Sequence, residues 1–153
     1  MPESSARSAW VHVKNELLES VHAEQVFCSL VSEMKYMPQF QSQPALAELH
    51  KENYETSYHR NTAVGNLSRL QAGEAHDLPV LMTIECLVET ARHDRLGEKA
   101  LAAIRAAAPE DQVWLRAAQN WHERREYWTR RAADTLRGHV SAHLWEQGIG
   151  MAE

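Results

Sequence analysis

The sequence predicts an all-α protein that folds as an up-down antiparallel four-helix bundle of long helices. Apolar residues recur at helical spacing over four long stretches, and no alternating run is long enough for a convincing β-strand. The 153 residues include only 6 glycines and 5 prolines, and the prolines lie outside the periodic stretches. The segments between the stretches are short, and short connections place consecutive long helices side by side in opposite directions.

The first predicted helix runs from about residue 8 to residue 37. It follows residues 1–7, which we expect to form a flexible N-terminus whose Ser and Glu residues could cap the helix. Residues 38–44 begin and end with proline and interrupt the pattern. The second predicted helix then covers about residues 45–71.

The third predicted helix runs from about residue 79 to residue 108, with a kink allowed near Gly97. It follows a turn at residues 72–77. Asp77 is a suitable N-cap at the end of that turn, and Pro79 fits the first turn of a helix because its missing N–H would have no partner there.

The fourth predicted helix opens at residues 109–111, where a proline and two acids suit a helix N-terminus. It continues to about residue 147, where a Gly-Ile-Gly segment is expected to end it. Residues 148–153 then form a flexible C-terminus. The predicted domain is a single bundle over residues 8–147.

Composition narrows the classes of protein to which the chain could belong. Its length fits one domain with a real core, and 44% hydrophobic and 24% charged residues are ordinary for a globular protein. A net charge of −5 without a clustered basic face argues against nucleic-acid binding. No apolar run approaches the ~20 residues of a membrane span, and the polar N-terminus does not look like a secretion signal. Cys28 and Cys86 are expected to be reduced core thiols, which makes the cytoplasm the predicted location.

The fourth helix carries a stripe of three tryptophans, Trp114, Trp121 and Trp128. Their seven-residue spacing keeps them on one helical face, which also includes Ala118 and Ala132. Large rings beside small alanines are typical of close helix packing. The same rings could instead line a ligand groove or contact a partner protein, because tryptophan is favoured at binding surfaces. A protein partner or a homo-oligomer is therefore expected.

Several polar residues fall within the apolar stripes when each residue is placed at 100° per step. They lie near the middle of their helices, so an antiparallel bundle brings them to one level. The predicted cluster consists of Glu24, Asn53, Arg60, His122 and Arg125, with Asp94 as a further candidate. Since a bare carboxylate in a core is costly, Glu24 should pair with an arginine.

This cluster permits three interpretations. It could be a structural ion-pair network that fixes helix register, or the helices could rotate so that water reaches the groups. It could also be a pocket for a small ligand. Two arginines and a histidine beside one carboxylate suit an anion better than a cation.

A metal site is the alternative prediction. Some four-helix bundles hold two metal ions through single glutamates on two helices and Glu-x-x-His on the other two. The candidate ligands here are Glu24, Glu55, His59, Glu89, His122 and Glu126. With the helix count, this set is similar to the ferritin-like di-metal carboxylate proteins, and the similarity implies a di-iron or di-manganese oxidase or metal store.

The similarity has two departures. The pairs Glu55–His59 and His122–Glu126 are spaced by four residues rather than three. On the helical wheel, the side chains of Glu55, His59 and Glu89 point away from the stripe that holds Glu24, whereas metal ligands must converge.

Functional motifs with a known chemistry are missing from the sequence. We find no Gly-rich phosphate loop, Cys-x-x-Cys, Gly-x-Ser-x-Gly or zinc-finger spacing. We therefore predict a binding or adaptor module rather than an enzyme, without a cofactor, that uses the tryptophan stripe and the mid-helix polar cluster. The alternatives are the di-metal protein and a purely structural subunit of a larger complex.

Overall fold

The protein is all-α. The computed structural model describes residues 2–74, 77–108, 110 and 112–152, with the backbone alone for residues 2–6 and 112, and these residues form no strand. Within the described ranges, six helices follow one another: α1 (Pro2–Met34), α2 (Pro38–Gln41), α3 (Pro44–Gln71), α4 (Asp77–Ala107), α5 (Gln112–Arg137) and α6 (Ala142–Ala152). Among the described residues, no helix is long and apolar enough to cross a membrane.

The long helices α1, α3, α4 and α5 correspond to the four predicted stretches. α1 begins at Pro2 rather than near residue 8. The predicted breaker at 38–44 contains the short helix α2, whose Phe40 is buried. α3 ends in the predicted turn, where Gly73 takes the left-handed conformation (φ +102°) that glycine adopts without steric cost. Ala75 and His76 of that turn, and Pro109 and Asp111 before α5, lie outside the described residues.

The predicted end of the fourth helix was wrong. α5 ends at Arg137, and a separate helix, α6, begins at Ala142 and runs through both glycines that were expected to stop it. Gly148 serves a different purpose, because a Cβ placed there would lie 2.7 Å from Ile84 of α4. The glycine therefore lets α6 approach α4 closely.

Two apolar clusters form the core. The Phe27 cluster joins residues that include Phe27, Val31, Leu49, Leu101, Ile104 and Leu115. The Leu17 cluster joins residues that include Val13, Leu17, Leu67, Ile84, Ala132 and Leu136, and side chains of α6 pack against it. Each of the four long helices contributes to both clusters.

Buried polar residues lie between the two clusters on every long helix. On α1, Ser20 and Glu24 separate Leu17 from Phe27. The chain meets the Leu17 cluster first on α1 and α4, and the Phe27 cluster first on α3 and α5. The packed pairs of long helices are α1 with α3, α3 with α4, α4 with α5 and α5 with α1. This packing brings the polar residues of all four helices to one level.

Candidate functional site

A layer of polar side chains crosses the interior between the Phe27 and Leu17 clusters. We call it the polar layer, and its members are Ser20, Glu24, Asn53, Thr56, Arg60, Asp94, His122, Arg125 and Thr129. All nine are buried, and Arg60, His122 and Arg125 have no solvent-exposed surface. Charged groups at this depth are stable only when they are paired and hydrogen-bonded.

Arg60 is fully satisfied. Its Nη1 donates to the Glu24 carboxylate and, at 3.1 Å, to Thr56, while its Nη2 donates to Asp94 Oδ2 at 2.7 Å. Its Nε donates to Ser20 Oγ at 2.8 Å, and its Nη2 also reaches Thr129 Oγ1 at 3.2 Å. An arginine has five N–H donors. All five therefore have acceptors, supplied by all four long helices.

Arg125 is less completely satisfied. Its Nη1 donates to Asn53 Oδ1 at 3.1 Å, and its Nε lies 3.5 Å from Asp94 Oδ1. Its guanidinium carbon lies 4.1 Å from the centre of the Phe27 ring. Its Nη2 is buried and finds no hydrogen-bond acceptor among the described residues. That nitrogen faces Gly97, where an added Cβ would lie 3.2 Å away.

Asp94 joins the two arginines. Burial alone would raise the pKa of this carboxyl, but Arg60 and Arg125 outweigh it, with help from the Thr56 hydroxyl, which donates to Oδ1 at 2.7 Å. The pKa of Asp94 is therefore lower than its ordinary value. Burial lowers the pKa of Arg125, although Asp94 opposes that shift. Two arginines thus face two carboxylates, Asp94 and Glu24, and their charges balance.

His122 connects the polar layer to the surface. Arg125 Nε donates to His122 Nδ1 at 3.2 Å, so this ring nitrogen carries the lone pair. The proton of the neutral ring then lies on Nε2, which is 3.1 Å from Glu126 Oε1 and 3.4 Å from Glu98 Oε2. The hydrogen bond from His122 lowers the pKa of Glu126, so Glu126 is ionised at neutral pH.

The structure brings the predicted polar cluster together. All five residues and Asp94 are buried, and Glu24 pairs with an arginine, Arg60, as expected. Sequence reasoning missed the hydroxyl residues Ser20, Thr56 and Thr129. The sequence indicates them only by their position on the inward faces of their helices. Small hydroxyl residues are common at such positions without taking part in a polar cluster.

A cleft of about 230 Å³ opens between α4 and α5 beside the polar layer. Its lining includes two members of the layer, Asp94 and Thr129, and three charged side chains, Arg95, Glu126 and Arg130. The rest of its wall is apolar, formed by Leu87, Ala91 and Ala133. Both arginines are exposed, so they stand at the mouth, while Asp94 and Thr129 form the floor.

No protein-family model, curated protein or solved structure matches this chain.

The tryptophan stripe is partly absorbed into helix packing. Trp114 and Trp121 pack against the Phe27 cluster, and Trp114 Nε1 donates to the carbonyl of Leu30 on α1 at 3.1 Å. The Trp121 ring contacts His22 of α1 edge-on, and the guanidinium carbon of Arg124 lies 4.4 Å from its centre. None of the three tryptophans is among the described residues that line the α4–α5 cleft.

The six candidate metal ligands do not meet at one place. Glu24 is engaged with Arg60 in the polar layer. Glu55 and His59 group with His93 between α3 and α4, while His122 and Glu126 group with Glu98 between α4 and α5. Glu89 lies beside His93, with 3.7 Å between its Oε2 and the Nε2 of the ring.

The two cysteines are free and protonated. Burial, with a smaller contribution from Glu24, raises the pKa of Cys28 to about 11. Burial also raises the pKa of Cys86 to about 11, with neighbouring glutamates adding to the shift. A nucleophilic cysteine needs a lowered pKa, so neither thiol is suited to that chemistry.

Proposed function

We propose that this chain is a non-catalytic binding protein that takes a small amphipathic anion into the α4–α5 cleft. The observation that carries the proposal is the lining of the cleft, in which three apolar side chains face five polar or charged ones, two of them members of the polar layer. Concave sites that combine apolar surface with a few positioned polar groups are typical of small-molecule binding.

The cleft is a better binding site than the polar layer itself. We had expected the buried arginines to bind an anion directly, but Arg60 and Arg125 already share Glu24 and Asp94. Because the charges of the layer already balance, a further anion there would be buried without a counter-charge, which is strongly unfavourable. The layer is better suited to fixing helix register and holding the floor of the cleft.

The charges at the mouth favour one kind of ligand. Arg95 and Arg130 are exposed cations on opposite walls, and they would attract a carboxylate or phosphate group. Glu126 is ionised and lines the same cleft, so it opposes a ligand with several negative charges. A monoanion with an apolar tail that packs on Leu87 and Ala133 fits both features.

The proposal rests on the finer form of the predicted fold, in which α1, α3, α4 and α5 run up and down as a four-helix bundle. The order in which these helices meet the two apolar clusters alternates from one to the next, which supports this topology. A cytoplasmic location belongs to the same proposal and is supported by the two free thiols. Binding of a protein partner or a second copy stays a prediction.

Hexanoate and inorganic phosphate are suitable probes in a nuclear magnetic resonance titration of the ¹⁵N-labelled chain. Hexanoate should shift the backbone amide signals of residues 87–95 and 126–133, and phosphate should shift them less. The Arg95→Ala, Arg130→Ala double variant should lose most of the hexanoate response. The matched control is Arg105→Ala, Arg116→Ala, which removes two exposed arginines from the same helices outside the cleft.

The control variant has the same net charge as the test variant, so a general charge effect would weaken both equally. An equal loss in the two variants, or hexanoate shifts that do not map to α4 and α5, would refute the proposal.

A further inference from the structure

Histidines and carboxylates gather where α3 meets α4, in a group that neither the polar layer nor the cleft uses. Each helix contributes a Glu–His pair spaced by four residues, Glu55 with His59 and Glu89 with His93. The rings of His59 and His93 are stacked, with planes 8° apart and centroids 5.6 Å apart. All four side chains are half-buried, so solvent ions can reach them.

Three of these side chains offer ligand atoms at close range. One atom each from Glu55, His59 and His93 lies within 4.8 Å of the other two. Bonds from zinc to imidazole nitrogen and carboxylate oxygen are about 2.0–2.2 Å, which places ligand atoms around one ion about 3–3.5 Å apart. Small rotations of these half-buried side chains would bring the ligand atoms from their present separations to those that one ion requires. Two imidazoles and a carboxylate form a ligand set that zinc and related divalent metals accept.

A buried carboxylate prepares His93 as a ligand. Glu52 is buried, and its Oε2 lies 2.5 Å from His93 Nδ1. An ionised carboxylate can only accept a hydrogen bond, so the Nδ1 proton is donated to it. The lone pair of the neutral ring is then on Nε2, the nitrogen that lies beside Glu89. Histidines that bind metal ions usually donate their other ring nitrogen to a carboxylate or carbonyl in this way.

The group around His122 has equally close ligand atoms but the opposite arrangement of the proton. Atoms of Glu98, His122 and Glu126 also lie within 4.8 Å of one another. There, Arg125 donates to His122 Nδ1, so the proton occupies the Nε2 that faces the carboxylates. A metal ion at that place would have to displace this proton. The group of Glu55, His59 and His93 (the His93 group) is therefore the better candidate for a metal site.

We propose that Glu55, His59 and His93 bind one divalent transition-metal ion of the zinc class, with Glu52 as a positioning residue. The ion would tie α3 to α4 on the side of α4 that faces α3, whereas the proposed ligand cleft lies between α4 and α5. The two proposals therefore fail or succeed independently.

Calorimetric titration of Zn²⁺ into the chelator-stripped full chain tests this site. We expect one Zn²⁺ per chain, with affinity lost by at least about tenfold in His59→Ala and in His93→Ala. Glu52→Gln should lower the affinity about 10–100-fold although it removes no ligand, as is typical of carboxylates that orient a metal-bound histidine. In the Co²⁺-loaded protein, Glu52→Gln should also change the visible absorption of the metal.

The matched control is the His139→Ala, His143→Ala variant. Both histidines are exposed and are also spaced by four residues, so the variant removes two imidazoles without touching the proposed site. It should bind Zn²⁺ as the parent does. Zn²⁺ should raise the melting temperature of the parent and of this control, but not that of His59→Asn, which keeps a polar side chain at a half-buried position.

The proposal is overturned if the parent binds no Zn²⁺, if the His59 and His93 variants keep the parent affinity, or if the control loses it. Circular dichroism of the metal-free variants separates unfolding from loss of the site. A Glu52→Gln protein that folds and keeps both the parent affinity and the parent Co²⁺ spectrum would remove Glu52 from the proposal.

Discussion

Arg60 and Arg125 lie in the same buried layer, yet their surroundings differ. Arg60 uses every donor and forms ion pairs with both Glu24 and Asp94. Arg125 shares Asp94, donates to Asn53 Oδ1 and His122 Nδ1, and leaves Nη2 without an acceptor among the described residues. The comparison indicates that Arg60 holds the layer together, while Arg125 links Asp94 to Asn53 and His122 and can be replaced at lower cost.

The largest loss of stability is expected from Arg60→Met. Removal of this guanidinium leaves Glu24 without its arginine in the core and takes one of two cations from Asp94. Breaking a buried ion pair in this way typically costs about 3–5 kcal/mol. Urea denaturation should show a loss of free energy of unfolding of that size, whereas Arg116→Met at an exposed position should change it by less than about 0.5 kcal/mol.

A second variant separates lost charge balance from lost volume. Glu24→Leu combined with Arg60→Met removes both partners, so no carboxylate at position 24 remains unpaired, and Asp94 still has Arg125. The double variant should be more stable than Arg60→Met alone. A double variant that is less stable than Arg60→Met would contradict the charge argument.

A smaller effect is expected from Arg125→Met. Asp94 keeps Arg60 and the Thr56 hydroxyl, and the groups that lose a donor, Asn53 and His122, carry no negative charge. Leaving such buried groups unsatisfied costs about 1–3 kcal/mol. The same urea measurement should therefore rank this variant between Arg60→Met and the parent. A loss as large as that of Arg60→Met would end the distinction between the two arginines.

The pH dependence of stability should report Asp94. Its pKa in the folded protein lies below the ordinary value of 3.8, so its ionised form stabilises the fold fully above that value. That contribution is lost as the pH falls from about 3.8 through the lower folded pKa. The stability difference between the parent and Asp94→Asn should therefore shrink over this acid range, as thermal unfolding at a series of pH values would show. A constant difference would contradict it.

The smallest change in stability is expected from a substitution of Gly97, which faces Arg125 Nη2, the nitrogen that finds no acceptor among the described residues. Alanine favours a helix over glycine by up to about 1 kcal/mol, but the new Cβ would lie 3.2 Å from Arg125 Nη2. We expect Gly97→Ala to be nearly neutral in the parent and to stabilise the Arg125→Met variant by about 0.5–1 kcal/mol. Equal effects in both backgrounds would show that the guanidinium does not limit the position.

The polar layer was predictable because periodicity fixes which face of a helix points inward. Placing Glu24, Arg60 and Arg125 on the wheel was enough to bury them and to require a pair for Glu24. The wheel could not choose between the two arginines as that partner. The choice depends on a few ångströms of helix offset, which the sequence does not carry.

Other features could not be read from sequence for specific physical reasons. Gly148 looked like a helix end, but it is a contact point with Ile84, and both uses require a residue without a side chain. In the group of Glu55, His59 and His93, the sequence predicts Glu55 and His59 as candidate ligands but not His93, because the pairs Glu55–His59 and Glu89–His93 lie on different helices and the sequence does not give the offset between them. The cleft depends on side-chain volumes across α4 and α5, which a one-dimensional pattern does not give.

The close approach of Gly148 to Ile84 also determines how α6 is attached to α4. α6 approaches α4 closely at Gly148 and packs on the Leu17 cluster through Leu144 and Ile149, in contrast to the charge pairing inside the polar layer. Acid protonates the carboxylates of the polar layer and weakens their pairing with the arginines, whereas it leaves an apolar contact almost untouched. α6 and the polar layer are thus attached to α4 by interactions that respond differently to solution conditions. Solution conditions can therefore loosen one attachment while the other holds.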